Sequence, residues 1–350
     1  MEYRGKHLYV EAPSAADGDR RDYVAGIDSY LARLRADSGG MRDRFMSSEA
    51  LKSDPESFRA EYRRMLGLDR LADPASHADM QKIGEDDRCE IYRLRVVALE
   101  IPFYGMLLLP KGAVSPFPLV IAQHGGGGTP ALCADFSGKN NYSHMVQRLL
   151  DRGAAVLLPQ LLLWSQKETE TQRAHPVPYD RGAVDRELKR FGTSITALEI
   201  FMISKCLDHV LTRRDIHPEK VGMIGLSYGG YFTLYTMAAD TRIRAGYAAG
   251  AFNDRNAYPW QDFCYFSSAT RFHDAEVAAL CAPRHLFLQI GKEDGVFDWR
   301  TALPELDRAQ RYFAALGCPQ SLKVSLWEGG HTISPDEAGY DFLFSAFSPS

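Results

Sequence analysis

Cysteine is scarce and unpatterned. The 350-residue chain carries six, at 89, 133, 206, 264, 281 and 318. None forms a CxxC pair or a metal-ligand spacing, so neither a disulfide framework nor a metal site is indicated. Cys206, inside a helical pattern, and Cys281, opening a strand region, read as buried reduced thiols, which suits a reducing compartment. Long apolar runs are missing too. No stretch approaches the ~20 residues of a spanning helix, and the charged start MEYRGKHLYVEAPSAADGDRRDY has no continuous apolar core for a leader or anchor. A cytoplasmic protein with no membrane partner is expected. Charge of one sign is equally lacking: 41 Lys and Arg against 45 Asp and Glu leave a net charge of −4. That gives no basic footprint for nucleic acid. Repeats and low-complexity tracts are absent, which excludes solenoids and arrays.

What remains is ordinary globular material, 45% hydrophobic and 25% charged, enough for a large core without staples. The first 75 or so residues read as helical. Tyr23, Ile27, Tyr30, Leu31 and Leu34 recur at helical spacing before a stop at Gly39-Gly40. Ser53-Asp54-Pro55-Glu56 is a capping box with proline in the first turn, and Gly67 closes the helix it opens. Alternating residues from Cys89 to Leu109, broken at Ile101-Pro102, read as an antiparallel strand pair.

Beyond Pro110, short apolar strands alternate with amphipathic helices. Strands are expected at 119–123, 154–158, 221–225, 245–250, 286–290 and 322–327, and helices at 142–151, 194–213, 231–239 and 303–316. A long polar loop fills 159–192. This alternation predicts an α/β fold with a mostly parallel central sheet, covered by helices on both faces. The expected organisation is a helical extension over 1–80 and a catalytic domain over 81–350.

Gly225-Leu226-Ser227-Tyr228-Gly229 matches G-x-S-x-G directly after an apolar strand and directly before a helix. Those flanks separate a nucleophile elbow from a chance glycine turn. The serine must occupy a tight, strained turn that lifts its hydroxyl above the sheet. An acyl-transfer site also needs two backbone donors for the oxyanion. One is expected from Tyr228, the residue after the nucleophile. The other is expected from the loop His124-Gly125-Gly126-Gly127-Gly128, with Gly125 and Gly126 the candidates. A phosphate loop would need lysine and Ser/Thr after the glycines, and Thr129-Pro130 does not supply them. His124 reads as an anchor of this loop.

Asp294 follows the strand at 286–290, and His331 follows the last strand. Both leave carboxyl ends of parallel strands, the edge where open α/β sheets build their sites. The order Ser, Asp, His is that of α/β-hydrolase triads. His331 is the expected base and Asp294 the carboxylate that orients it. Rival bases are His175, His217, His273 and His285. Rival acids are Glu293, Asp298 and Asp254.

With these segments assembled, Gly225-Leu226-Ser227-Tyr228-Gly229-Gly230-Tyr231, Gly291-Lys292-Glu293-Asp294 and Gly329-Gly330-His331 resemble the dienelactone-hydrolase and acetyl-xylan-esterase branch of the α/β-hydrolases. The resemblance is closest to members with an N-terminal helical extension. It implies a carboxylesterase acting on a small-molecule ester, with sugar acetyl esters one substrate class, and no metal or cofactor. Serine stands where dienelactone hydrolases carry cysteine, which favours esters over lactones.

Two further readings stay open. The Ser-Tyr-Gly-Gly-Tyr elbow is also similar to that of prolyl-oligopeptidase-type enzymes, which would make the chain a peptidase or amidase. A non-catalytic binding protein on the hydrolase scaffold is the other. Trp164, in the loop, and Trp260, in the aromatic segment Tyr258–Phe266, are candidate substrate-binding residues, although these aromatics would equally serve to pack the loop against the N-terminal helices. Those helices leave two uses open: pairing two copies as a homodimer, or padding one.

Overall fold

Strands that are apolar along nearly their whole length have to be covered on both faces, and this chain arranges for it. The computed structural model describes residues 11–12, 14–136, 140–163 and 179–348. A nine-stranded sheet runs in the order β1-β2-β3-β5-β4-β6-β7-β8-β9. Its strands are β1 (His77–Glu85), β2 (Cys89–Ala98), β3 (Ile101–Pro110), β4 (Phe117–Gln123), β5 (Ala155–Pro159), β6 (Ile216–Leu226), β7 (Ala245–Ala249), β8 (His285–Gly291) and β9 (Leu322–Trp327). From β5 through β4 and on to β9 every pairing is parallel, while β1, β2 and β3 are joined by antiparallel ladders. Every residue of β5 and β7 is buried. The expected mostly parallel α/β sheet is what forms.

Helices α1 (Ala16–Phe45), α2 (Ser48–Ser53) and α3 (Pro55–Leu66) precede the sheet. They are followed by α4 (Pro130–Cys133), α5 (Met145–Asp151), α6 (Arg181–Arg190), α7 (Ile195–Val210), α8 (Tyr228–Ala239), α9 (Asp274–Ala279), α10 (Trp299–Ala315) and α11 (Ala338–Ser345). One core cluster gathers α2, α3, α7, α8 and α9 on one face of the sheet, and a second gathers α5 and α11 on the other. Among the described residues no helix is long and apolar enough to cross a membrane.

Four local readings change. The helix expected to stop at Gly39-Gly40 runs on to Phe45. Arg42, one turn past the glycines, is anchored by Glu276 at 2.7 Å and Glu305 at 2.6 Å, and all three side chains are buried. Tertiary anchoring here outweighs two poor helix formers. The break in the first hairpin falls at Leu99 and Glu100, both in the left-handed region with φ of 51° and 61°, and Pro102 lies within β3. The Asp73 carboxylate accepts the Leu99 amide at 2.6 Å and so ties the turn down. The polar loop after β5 contains α6, capped by the Asp180 side chain. Strand β1, which the alternation did not suggest, adds an edge to the same sheet.

The extension is fastened by arginine chemistry. Arg59 donates to the Ala238 and Leu280 carbonyls and Arg63 to that of Ala239, so α3 closes the carboxyl end of α8. The Tyr62 hydroxyl donates to the Tyr235 carbonyl at 3.0 Å. Removing one partner from a buried ion pair leaves the other charge uncompensated, at a cost of about 3–5 kcal/mol. Arg42→Ala is therefore expected to lower unfolding stability by about that much, measured as the shift in urea midpoint at constant slope. A variant within about 0.5 kcal/mol of wild type would show that the anchor contributes little.

Candidate active site

The site starts from an apolar strand that must turn sharply. β6 ends at Leu226 and α8 begins at Tyr228, leaving Ser227 alone at φ 61° and ψ −123°, a strained conformation for a residue with a side chain. Its amide donates to the Ala249 carbonyl at 2.9 Å, so the elbow leans on the end of β7. Close backbone approach explains the flanking glycines. A β-carbon on Gly225 would sit 2.4 Å from the Gly229 carbonyl, and one on Gly229 would sit 2.1 Å from the Gln123 carbonyl oxygen. Neither could be accommodated without moving backbone.

His331 and Asp294 meet as expected. The imidazole Nδ1 and the Asp294 carboxylate are 2.8 Å apart, and the Asp294 side chain is 1% exposed. The other carboxylate oxygen accepts the Val296 amide at 2.8 Å and the Phe297 amide at 3.1 Å. Burial alone would raise this carboxyl. The hydrogen bond and charge of His331, with the two amides, outweigh burial and hold it below its ordinary range. The imidazole stands over Gly250, which follows β7 directly: Nδ1 and Cε1 are each 3.4 Å from where a β-carbon on Gly250 would be. Ser227, bonded to Ala249, is thus one residue away along that strand end. No hydrogen bond joins the Ser227 hydroxyl to His331 in this structure; the two are brought to the same strand end and the serine–imidazole contact is a short side-chain adjustment away.

The His331 loop is held from two sides. Asn141 donates its side-chain amide to the His331 carbonyl at 2.9 Å, and its own carbonyl accepts from Thr332 and Ile333. Gln289, buried in β8, donates to the Thr332 carbonyl and accepts the Ser334 amide.

The rivals are engaged elsewhere. Asp298 caps α10, Glu293 is exposed, and Asp254 lies 3.7 Å from His273. His273 caps α9, His285 stacks on Phe342, and the His217 ring accepts the Glu219 amide. His175 and Trp164 lie outside the described residues.

In the glycine loop, a β-carbon on Gly125 would come within 3.2 Å of the Ser227 β-carbon, so the loop runs beside the elbow. The Gly125 amide, however, donates to the Tyr142 hydroxyl at 2.8 Å. This corrects Gly125 as an oxyanion donor, because a donor already spent on a buried hydroxyl is not aimed at substrate. Gly126, the partly exposed next residue, remains. His124 does anchor the loop. Its Nε2 accepts the Leu161 amide at 3.0 Å, which leaves the proton on Nδ1 to reach the Gly125 carbonyl at 2.8 Å.

Beneath Tyr228 lies a cluster that the sequence reading passed over. Arg181, at the start of α6, grips Glu199 with both terminal nitrogens at 3.0 and 2.8 Å and reaches Asp262 at 2.7 Å, all three being buried. The Tyr228 hydroxyl donates to the same Asp262, and the guanidinium stands 5.6 Å from its ring centre. Burial pushes the Glu199 carboxyl up, against the pull of Arg181. The one available signal was Glu199 itself, a carboxylate inside the apolar run Leu198–Ile203. Trp260 packs between Tyr228, Phe263 and Phe297, and Phe297 lies 6.0 Å from the His331 ring. The aromatic segment therefore joins the elbow to the histidine.

Among the described residues one trio could offer ligand atoms to a metal: Asp254, His273 and Glu305, all within 4.8 Å of one another. Both Glu305 oxygens are spanned by Arg42, and one also accepts the Ala275 amide, so the trio is part of the ion-pair network that anchors α1.

A strained serine elbow at the carboxyl edge of a parallel sheet, with an Asp–His pair on the loops after later strands, is the α/β-hydrolase arrangement. Similarity to known proteins agrees with it. No protein-family model matches the chain. A curated protein of Bacillus subtilis (strain 168), named "Putative hydrolase YtaP", is 27% identical over 159 residues, covering 42% of this chain. The chain spans about half, 52%, of that relative's length. Among solved structures, a "putative acetyl xylan esterase" of Bacteroides fragilis NCTC 9343 aligns with a TM-score of 0.66 at 14% identity, over 90% of this chain and 89% of that one. A methylesterase, BT1017, gives 0.64 at 21% identity over 89% and 68%. A glucuronoyl esterase of Solibacter usitatus gives 0.60 at 15% over 82% and 92%. The fold is that of the α/β-hydrolases.

Two measurements test the site's construction. A carboxylate with a lowered folded pKa contributes stability that is present above its unfolded value, near ~3.9, and lost as pH falls through the folded value. The stability gap between wild type and Asp294→Asn should hold steady from about pH 8 to about pH 5 and close only below about pH 4. A gap that closes near pH 6 would contradict the lowered carboxyl. Second, Arg181→Lys keeps the charge but loses the two-pronged grip on Glu199. Displacing Tyr228 should cost about 10–100-fold in kcat with KM changed less, and a variant with unchanged kcat would remove Arg181 from the positioning role.

Proposed function

We propose that the chain is a serine carboxylesterase working through an acyl-enzyme, with Ser227 as nucleophile, His331 as base and Asp294 as the orienting acid. One observation carries the reading: the Asp294-bound imidazole of His331 stands over Gly250, beside the strained elbow that presents Ser227. His331 takes the serine proton as the oxygen attacks the ester carbonyl, and Asp294 stabilises the imidazolium that forms. The backbone amides of Tyr228 and Gly126 face the developing oxyanion. His331 returns the proton to the departing alcohol. Water, deprotonated by the same imidazole, then attacks the acyl-serine, releasing the carboxylic acid and regenerating the hydroxyl.

Similarity of fold to known esterases supports the substrate class proposed. An acetyl xylan esterase, a methylesterase and a glucuronoyl esterase share this architecture. Small acyl esters, sugar acetates among them, are the substrates proposed here. The Trp260–Phe297 aromatic packing beside His331 offers an apolar flank for the acyl or sugar part.

Turnover of p-nitrophenyl acetate and of acetylated xylose should be abolished by Ser227→Ala, with a loss on the order of 10⁶-fold. Wild type, but not that variant, should be labelled by a fluorophosphonate. Near-native turnover in Ser227→Ala would refute the assignment, and cleavage of aminoacyl p-nitroanilides faster than of esters would make the chain an amidase instead.

A further inference from the structure

Helix α1 is 30 residues long, yet only its last third is docked. Ser38 accepts from Asn256, Gly39 accepts from Arg308, Arg42 enters the buried acidic pair, and Phe45 packs edge-on against Phe272. Before that, every residue from 19 to 33 is exposed. The exposed run is not a polar one. Tyr23 is 74% exposed, Ile27 42%, Tyr30 53% and Leu31 39%. At ~100° per residue these four, with Leu34, fall in one stripe about 100° wide. Phe45, docked against the body, lies on the continuation of that stripe. The face that the docked third buries thus runs on uncovered for about three turns.

A helix overhanging in water is marginal at this length, and Gly18 and Gly26 weaken it further. Burial of the stripe would supply what propensity does not.

We infer that the stripe is covered by the same stripe of a second copy, packed antiparallel about a two-fold axis near Gly26. The flanking charges select this occupant. Asp17 and Arg35 each stand nine residues from Gly26, on opposite sides of it in sequence, and Asp19 and Arg33 each stand seven. Antiparallel pairing about Gly26 therefore sets Asp17 of one copy opposite Arg35 of the other, and Asp19 opposite Arg33, each twice by symmetry. On the helical wheel Asp17 and Arg35 share one flank of the stripe, and Asp19 and Arg33 share the other, so each pair meets on its own side. Parallel pairing in register would instead oppose like charges at all four positions. The Asp17–Arg20 contact within the helix is exposed and competes weakly. In this interface the apolar stripe supplies affinity, and the charges set direction and register.

The full chain tests it without reference to catalysis. Sedimentation velocity at micromolar concentration should show a species of twice the 39.2 kDa chain mass. The double variant Ile27→Glu, Tyr30→Glu should self-associate at least ~100-fold more weakly, while its cooperative thermal unfolding is retained. Two charge variants then test the pairing: each alone should self-associate about 10-fold more weakly than wild type, a loss that parallel pairing, with like charges already opposed in wild type, would not show. Asp17→Arg with Asp19→Arg leaves only arginine at the four paired positions, and Arg33→Asp with Arg35→Asp leaves only aspartate there. Mixed in equal amounts, these two should form a one-to-one dimer about 10-fold tighter than either forms alone, a preference that fades at high salt. Wild type that stays monomeric, a dimer that survives the Ile27 and Tyr30 substitutions, or charge variants that gain nothing on mixing would each overturn the inference.

Discussion

The close approach of backbones at the elbow is the constraint from which the site is built. β6 has to hand over to α8 within one residue, and it can do so because Gly225 and Gly229 let the elbow press against itself and against Gln123. The strain is concentrated on Ser227, whose backbone sits in a region that side chains avoid. Such a conformation persists only if its surroundings over-determine it. Here they do: the Ser227 amide is tied to β7, α8 is buried along its whole length, and the glycine loop after β4 runs alongside.

Around that fixed point the other groups are placed by rigid elements rather than by long loops. Asp294 and His331 follow neighbouring strands β8 and β9, so parallel pairing brings them to one edge. Gln289 and Asn141 then hold the histidine loop by its own backbone. The Asp294 carboxylate, held ionised by His331 and two amides, has little freedom to turn away. This is preorganisation in the ordinary sense: geometry set during folding, before any substrate arrives.

Two arginine clusters do comparable work at different distances. Arg181 ties α6, α7 and the Asp262 turn to the underside of Tyr228. Arg42 and Arg308 tie the N-terminal extension to α9 and α10 through Glu276, Glu305 and Asp43. Both clusters leave buried carboxylates dependent on a guanidinium for compensation, so each is costly to open. The extension is thus firmly attached at its base, while the outer two thirds of α1 extend beyond it.

Much of this could be read from residue order alone. Apolar strand periodicity, the elbow motif with its flanks, and the order serine, aspartate, histidine are local or one-dimensional signals, and each survives folding because parallel strands align their carboxyl ends by construction. Other features became visible only in three dimensions. That Gly125 spends its amide on Tyr142 depends on a contact 17 residues away. That α1 runs through Gly39-Gly40 depends on carboxylates more than 230 residues downstream. Arg181 lay in a stretch that read only as a long polar loop, and its role appears because Glu199 and Asp262 converge on it from two other elements. Composition and spacing therefore determined the parallel part of the sheet, the elbow, and the order in which serine, aspartate and histidine reach its edge. Which amide is available and which helix face is left bare were decided by tertiary contacts, because hydrogen bonds and burial pair groups by distance in space and not by distance along the chain.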